Sequence, residues 1–149
     1  MIYNVTNWGG SYECHLKNLI IQQKRMIRAI ADAGYADHTN PLFFRLKLLK
    51  FKDIYRYFVS IYMFKNLTEF SSSHNLNTRQ RNLANPPFFH LTKSQHSIKY
   101  CGPKIWNDLP HSIRSSKTLP SFKRAVKSYY FERIARWPLH VQWDDVPGC

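Results

Sequence analysis

Apolar side chains recur along this chain at helical spacing, and that period points to a mainly α fold. Between Ser11 and Ala31, the residues Leu16, Leu19, Ile20, Ile27, Ile30 and Ala31 fall near one stripe of a helix, with Met26 beside it. Lys17, Lys24, Arg25 and Arg28 lie mostly off the stripe and give the helix a basic outer side. Gly34 is the expected stop signal. Asn40-Pro41 supplies an N-cap and a first helical residue for a short helix through Leu42, Phe43, Leu46 and Leu49. Another helix is expected from near Phe51 through Ile54, Tyr55, Phe58, Ile61, Tyr62 and Phe64, its aromatic rings packing a core. A final amphipathic helix opens near Thr118. Phe122, Ala125, Val126, Tyr129 and Tyr130 form its apolar face, and Lys123, Arg124 and Lys127 its basic one.

The period fails between Thr68 and Pro87, where Ser71-Ser72-Ser73, Asn75, Asn77, Asn82, Asn85 and Pro86-Pro87 read as an exposed connection. The chain therefore divides into a helical subdomain (1–67), a polar linker (68–87), a small C-terminal subdomain (88–136) and a loose tail (137–149). Phe88 to Tyr100 alternates weakly enough to suggest a short β-hairpin whose turn, Lys93-Ser94-Gln95-His96, lacks glycine. Pro103 is expected to start a single helical turn that Pro110 ends.

Charge narrows the partners. Across 149 residues, 22 lysines and arginines face 9 carboxylates, a formal net charge of +13. An excess of that size favours a polyanion, and RNA or DNA is the expected partner. The cations are dispersed, with no run of five or six, so they suit a folded surface better than a basic tail. Lys24, Arg25, Arg28, Arg79, Arg81, Lys99, Lys104, Lys123, Arg124 and Lys127 are the candidate phosphate contacts, with aromatic rings interleaved for stacking.

Catalytic and metal chemistry find little here. Asp144-Asp145 is the one adjacent carboxylate pair, and no strand pattern surrounds it to hold two metals. The seven histidines form no His-x3-His or His-Glu-x2-His arrangement. Cys14, Cys101 and Cys149 are odd in number and widely spaced, which supports neither a disulfide framework nor a zinc site and suits a reduced compartment. No Walker loop, dinucleotide fingerprint or nucleophile elbow occurs. The expected chain is not an enzyme, uses no cofactor or metal and takes no small-molecule substrate. Met1 to Gly10 lacks a signal-peptide pattern, and no apolar run approaches the ~20 residues of a membrane span. The expected location is intracellular, in nucleus or cytoplasm, not secreted and not in a membrane.

Two stretches are similar to LINE-type retrotransposon reverse transcriptases. The first comprises Trp8-Gly9, then Leu16 through Gln22-Gln23-Lys24-Arg25-Met26-Ile27-Arg28, His38-Thr39-Asn40-Pro41-Leu42-Phe43, Leu46 to Asp53, and Tyr62-Met63-Phe64-Lys65. It resembles the region after the polymerase palm. The second comprises Asn77-Thr78-Arg79, Ser97-Ile98-Lys99-Tyr100-Cys101-Gly102-Pro103-Lys104-Ile105-Trp106-Asn107-Asp108-Leu109-Pro110 and Leu119-Pro120-Ser121-Phe122-Lys123-Arg124. It resembles the C-terminal end of the same proteins, in the same order, and the Gly-Pro-Lys-Ile-Trp-Asn-Asp-Leu-Pro string is its most specific part. The resemblance covers roughly residues 3–133. It implies a helical thumb-like region with a C-terminal extension, holding template–primer beside a polymerase core. The family's catalytic carboxylates lie upstream of the matched region, so none is carried over, and the upstream polymerase domains become an expected partner. A structural fragment or a domesticated protein-interaction module with no nucleic-acid role is the alternative.

Overall fold

The computed structural model describes residues 4–70 and 83–135, and these are mainly helical. In chain order the helices are α1 (Val5–Trp8), α2 (Glu13–Ala31), α3 (Thr39–Arg45), α4 (Phe51–Lys65) and α5 (Leu67–Phe70). After the undescribed stretch come a 3-10 turn (Thr92–His96), α6 (Ile98–Asn107), α7 (His111–Arg114) and α8 (Leu119–Ala135). The greater part of the expected linker, including Arg79 and Arg81, and all of the expected tail, including Asp144-Asp145, lie outside the described residues.

The longer helices form where periodicity places them, but their ends differ. α2 stops at Asp32, which takes a left-handed conformation (φ 50) two residues before Gly34. The amides of Asp32 and Ala33 both reach the Arg28 carbonyl, closing a Schellman-type cap. α3 begins at Thr39, so Asn40 is not its cap and Pro41 is its third residue. Proline is tolerated there because amides in the first turn have no intrahelical partner. The start of α4 is capped from another helix. Gln23 of α2 accepts from the Phe51 amide at 2.9 Å and donates to the Leu49 carbonyl at 3.1 Å.

The apolar stripe of α2 is wider than the surface that covers it. Leu16 and Ile27 are buried and Ile20 is half-buried, whereas Leu19, Met26 and Ile30 are 40%, 58% and 66% exposed. The expected single inward stripe is thus split, because neighbouring helices reach only one edge of it.

α4 is the hub. Phe51, Tyr55, Val59 and Met63 recur every fourth residue and are buried. They share one core cluster with Val5, Leu16, Phe70, Ala84, Cys101, Ile105, Trp106, Leu109, Phe122, Val126 and Tyr130. Residues on both sides of 71–82 therefore contribute to the same core. A smaller cluster joins Ile27, Phe43 and Ile134.

No strand occurs among the described residues, and the expected hairpin is absent. Its turn is the 3-10 segment Thr92–His96, and its second arm is the start of α6. Pro103 does not begin that helix but sits inside it. Proline there forgoes a backbone bond to the preceding turn and strains the helix by ~3 kcal/mol, so tertiary contact has to hold the conformation. Gly102 reveals that contact: a Cβ built on it would lie 2.7 Å from the sulfur of Met63, which is fully buried on α4. Gly102→Val is expected to destabilise the protein by about 1–3 kcal/mol through overpacking. A fall in the urea midpoint at unchanged slope would register it, and an unaltered midpoint would contradict the close approach of α4 and α6.

Candidate nucleic-acid interface

The expected phosphate contacts separate into three groups. On α2, Arg25 is exposed, whereas Arg28 is engaged locally: its Nε donates to the Asp37 carbonyl at 3.0 Å and its guanidinium lies 5.9 Å from the Tyr35 ring. On α6, Lys99 and Lys104 are exposed, and the Lys104 ammonium sits 4.3 Å from the Tyr100 ring centre. That geometry leaves a cation beside an aromatic face on the surface. On α8, Lys123, Arg124 and Lys127 are all exposed while Phe122, Val126, Tyr130 and Ile134 point inward. Burying one stripe of α8 fixes the rotation of the helix, and rotation puts the three cations in water.

The third candidate on α2, Lys24, is half-buried and belongs to a pocket. Between α2, α3 and the start of α4 lies a cavity of about 360 Å³, lined by Glu13, Lys17, Ile20, Ile21, Gln23, Lys24, Thr39, Phe43, Lys50, Phe51 and Lys52. Four lysines face it against one carboxylate, and Glu13 is ion-paired with Lys52. Lys17, Lys50 and Lys52 are not among the candidates that sequence reasoning singles out. Lys50 is flanked by Leu49 and Phe51, an apolar setting that was the available signal for its burial.

Lys50 is 7% exposed, and its Nζ donates to Asn40 Oδ1 at 2.6 Å. Burial lowers its pKa from the ordinary 10.5 to about 8, with Asp53 opposing the fall and Lys24 adding to it. Asp53 is itself buried at the contact of α4 and α8. Burial pushes its carboxyl up, against the pull of Arg56, Arg133 and Lys50, and Arg56 Nη1 lies 3.5 Å away. Tyr130 packs on the same contact, and burial pushes its hydroxyl up to about 12.

The sign of the Lys50 effect on stability follows from linkage. The unfolded chain keeps this proton up to about pH 10.5, and the folded chain releases it near pH 8. Between those values the unfolded state binds more protons, so stability rises with pH. Urea midpoints measured from pH 8 to pH 10 are expected to rise in the parent chain, and Lys50→Met should remove that rise. A parallel profile in the variant would rule out Lys50 as its source.

Other chemistry is sparse. Among the described residues no group of three His, Cys, Asp or Glu side chains is placed to hold a metal ion. Cys14 is exposed and Cys101 is buried, donating to the Gln95 carbonyl at 3.2 Å. His96 Nδ1 lies 2.8 Å from the Gly10 carbonyl and its ring meets Tyr12. No described helix is long and apolar enough to cross a membrane. Comparison with protein-family models, curated proteins and solved structures finds no match to the chain.

Proposed function

We propose that this chain is a thumb and post-thumb region of a LINE-type reverse transcriptase and contributes non-catalytic contact to the template–primer duplex. The observation that carries the reading is the sequence order of the two resembling stretches, ending in Gly102-Pro103-Lys104-Ile105-Trp106-Asn107-Asp108-Leu109-Pro110. Most residues of the string have architectural roles in the fold. Gly102 admits Met63, Trp106 and Leu109 are buried, and Asn107 exchanges two hydrogen bonds with the Ala84 backbone at 2.9 and 3.0 Å. The string is thus mainly architectural in this chain, and in this reading phosphate contact falls to the exposed cations of α6 and α8. In this reading the chain carries no catalytic group, uses no cofactor and works with polymerase domains that precede it, inside the cell.

Fluorescence anisotropy with a labelled RNA–DNA hybrid, repeated across salt concentrations, tests the proposal. Binding should weaken steeply as salt rises, because phosphate contacts release counterions. Absence of binding at low salt would overturn it.

One feature favours a different reading. The exposed stripe of Leu19, Met26 and Ile30 on α2, with Tyr35 beyond it at 84% exposure, suits docking to a protein body. A protein-interaction module would keep its binding at high salt.

A further inference from the structure

We infer that the pocket between α2, α3 and α4 binds a nucleoside phosphate, seating the base on its apolar side and the phosphate among its lysines. The site is separate from the cations of α6 and α8, and the inference stands whether or not those cations grip a duplex.

Shape comes first. A cavity of about 360 Å³ lies near the lower end of small-ligand sites, which run from about 300 to 1,000 Å³. It suits one nucleotide rather than a length of polymer. Ile20 and Ile21 of α2, with Phe43 and Phe51, supply the apolar part of its lining. The two rings are fixed by packing. Phe43 is 1% exposed, and Phe51 is 5% exposed and stacks on Trp8 at 5.4 Å. Little of either ring is accessible, so a flat apolar body would lie mainly against Ile20 and Ile21, beside rings that packing holds rigid.

Charge sets the other half of the ligand. Lys17 and Lys24 stand two turns apart on the pocket side of α2, while Lys50 and Lys52 come from the opening of α4. Glu13 offsets one of the four, so the lining retains an excess of positive charge. The first turn of α4, a 15-residue helix, adds the positive end of its dipole. Of the four lysines, Lys50 is almost wholly buried and is repelled by Lys24, an unfavourable pairing of like charges beside an apolar lining. A bound phosphate dianion removes that repulsion, and an uncharged ligand does not.

The rigidity of the frame supports a preformed site. Gln23, which lines the pocket, is committed through both of its polar atoms to the α3–α4 junction, and Lys50 is anchored by Asn40. The side chains left to meet a ligand are Lys17 and Lys24.

Isothermal titration with AMP, adenosine and inorganic phosphate tests the inference on the full chain. AMP is expected to bind at least about tenfold more tightly than either part alone, a difference of about 1.4 kcal/mol. The double variant Lys17→Gln/Lys24→Gln should lose at least that factor. Lys123→Gln/Arg124→Gln/Lys127→Gln should leave AMP affinity unchanged, which keeps this test apart from that of duplex binding. Amide NMR shifts on AMP addition should map to Ile20, Ile21 and Lys52. Phosphate binding as tightly as AMP, shifts elsewhere, or an unaffected double variant would each overturn the proposal. Two sources of ligand are separated by comparing AMP with a short oligonucleotide carrying or lacking a 5′ phosphate. Preference for the phosphorylated end assigns the pocket to a strand terminus, and preference for AMP assigns it to free nucleotide.

Discussion

Trp106→Ala should remove about 3–5 kcal/mol of unfolding free energy, the usual cost of deleting a buried large aromatic side chain. A protein of this size has only about 5–15 kcal/mol to lose, so the variant sits close to unfolding at ambient temperature. Trp106 is 2% exposed and stands between the two halves of the chain. Its ring centre lies 6.5 Å from Phe64 of α4 and 5.6 Å from Phe122 of α8, and those two rings stack at 4.5 Å. Its indole N–H is buried with no hydrogen-bond partner among the described residues. An unsatisfied buried donor costs about 1–3 kcal/mol, so the loss should fall toward the lower end of the range. For the same reason Trp106→Phe should be mild, below about 1.5 kcal/mol, as it keeps a ring and removes the donor. Urea unfolding followed by far-UV circular dichroism and by tryptophan fluorescence checks both variants. Coincident transitions are expected, because α4, α6 and α8 share one core. Two separated transitions, with the N-terminal helices surviving the second half, would refute the shared core.

The second large effect concerns binding. Lys123→Gln/Arg124→Gln/Lys127→Gln removes three exposed cations from α8 and should flatten the slope of log affinity against log salt by about 3, one for each cation that meets a phosphate. Between 50 and 200 mM salt the parent chain would then lose roughly 40-fold more affinity for an RNA–DNA hybrid than the variant does. All three side chains are exposed, whereas Phe122, Val126 and Tyr130 are buried, so the fold should be unaffected. Lys99→Gln/Lys104→Gln is the companion on α6. An unchanged slope in both variants would remove α6 and α8 from the interface and leave the apolar stripe of α2 as the better candidate for contact with a partner.

The pocket and the α8 face illustrate different routes from sequence to site. On α8, neighbours in sequence are neighbours in space: apolar residues at every fourth position bury one stripe, and the intervening cations are forced outward. That face was legible from spacing alone. The pocket lysines come from two segments, Lys17 and Lys24 in one and Lys50 and Lys52 in the other. Their convergence depends on how α2 crosses the α3–α4 junction, which Gln23 fixes across 26 and 28 residues of chain. No local pattern encodes that crossing, so the meeting of Lys50 and Lys52 with Lys17 and Lys24 around one pocket is not legible in the sequence.

The sequence by itself determined that the chain is mainly helical, where its long helices run and how basic its surface is, because helical period and composition are local or additive properties. Tertiary structure decided the rest. It turned the expected hairpin at Phe88 to Tyr100 into a 3-10 turn and the start of α6, since packing of Gly102 against Met63 outweighs the local cost of Pro103 within a helix. It left Leu19, Met26 and Ile30 uncovered, since burial depends on which neighbours arrive and not on hydrophobicity alone. It also buried Lys50 among apolar neighbours, moving its pKa toward 8, because desolvation is a property of the assembled surroundings and not of the residue.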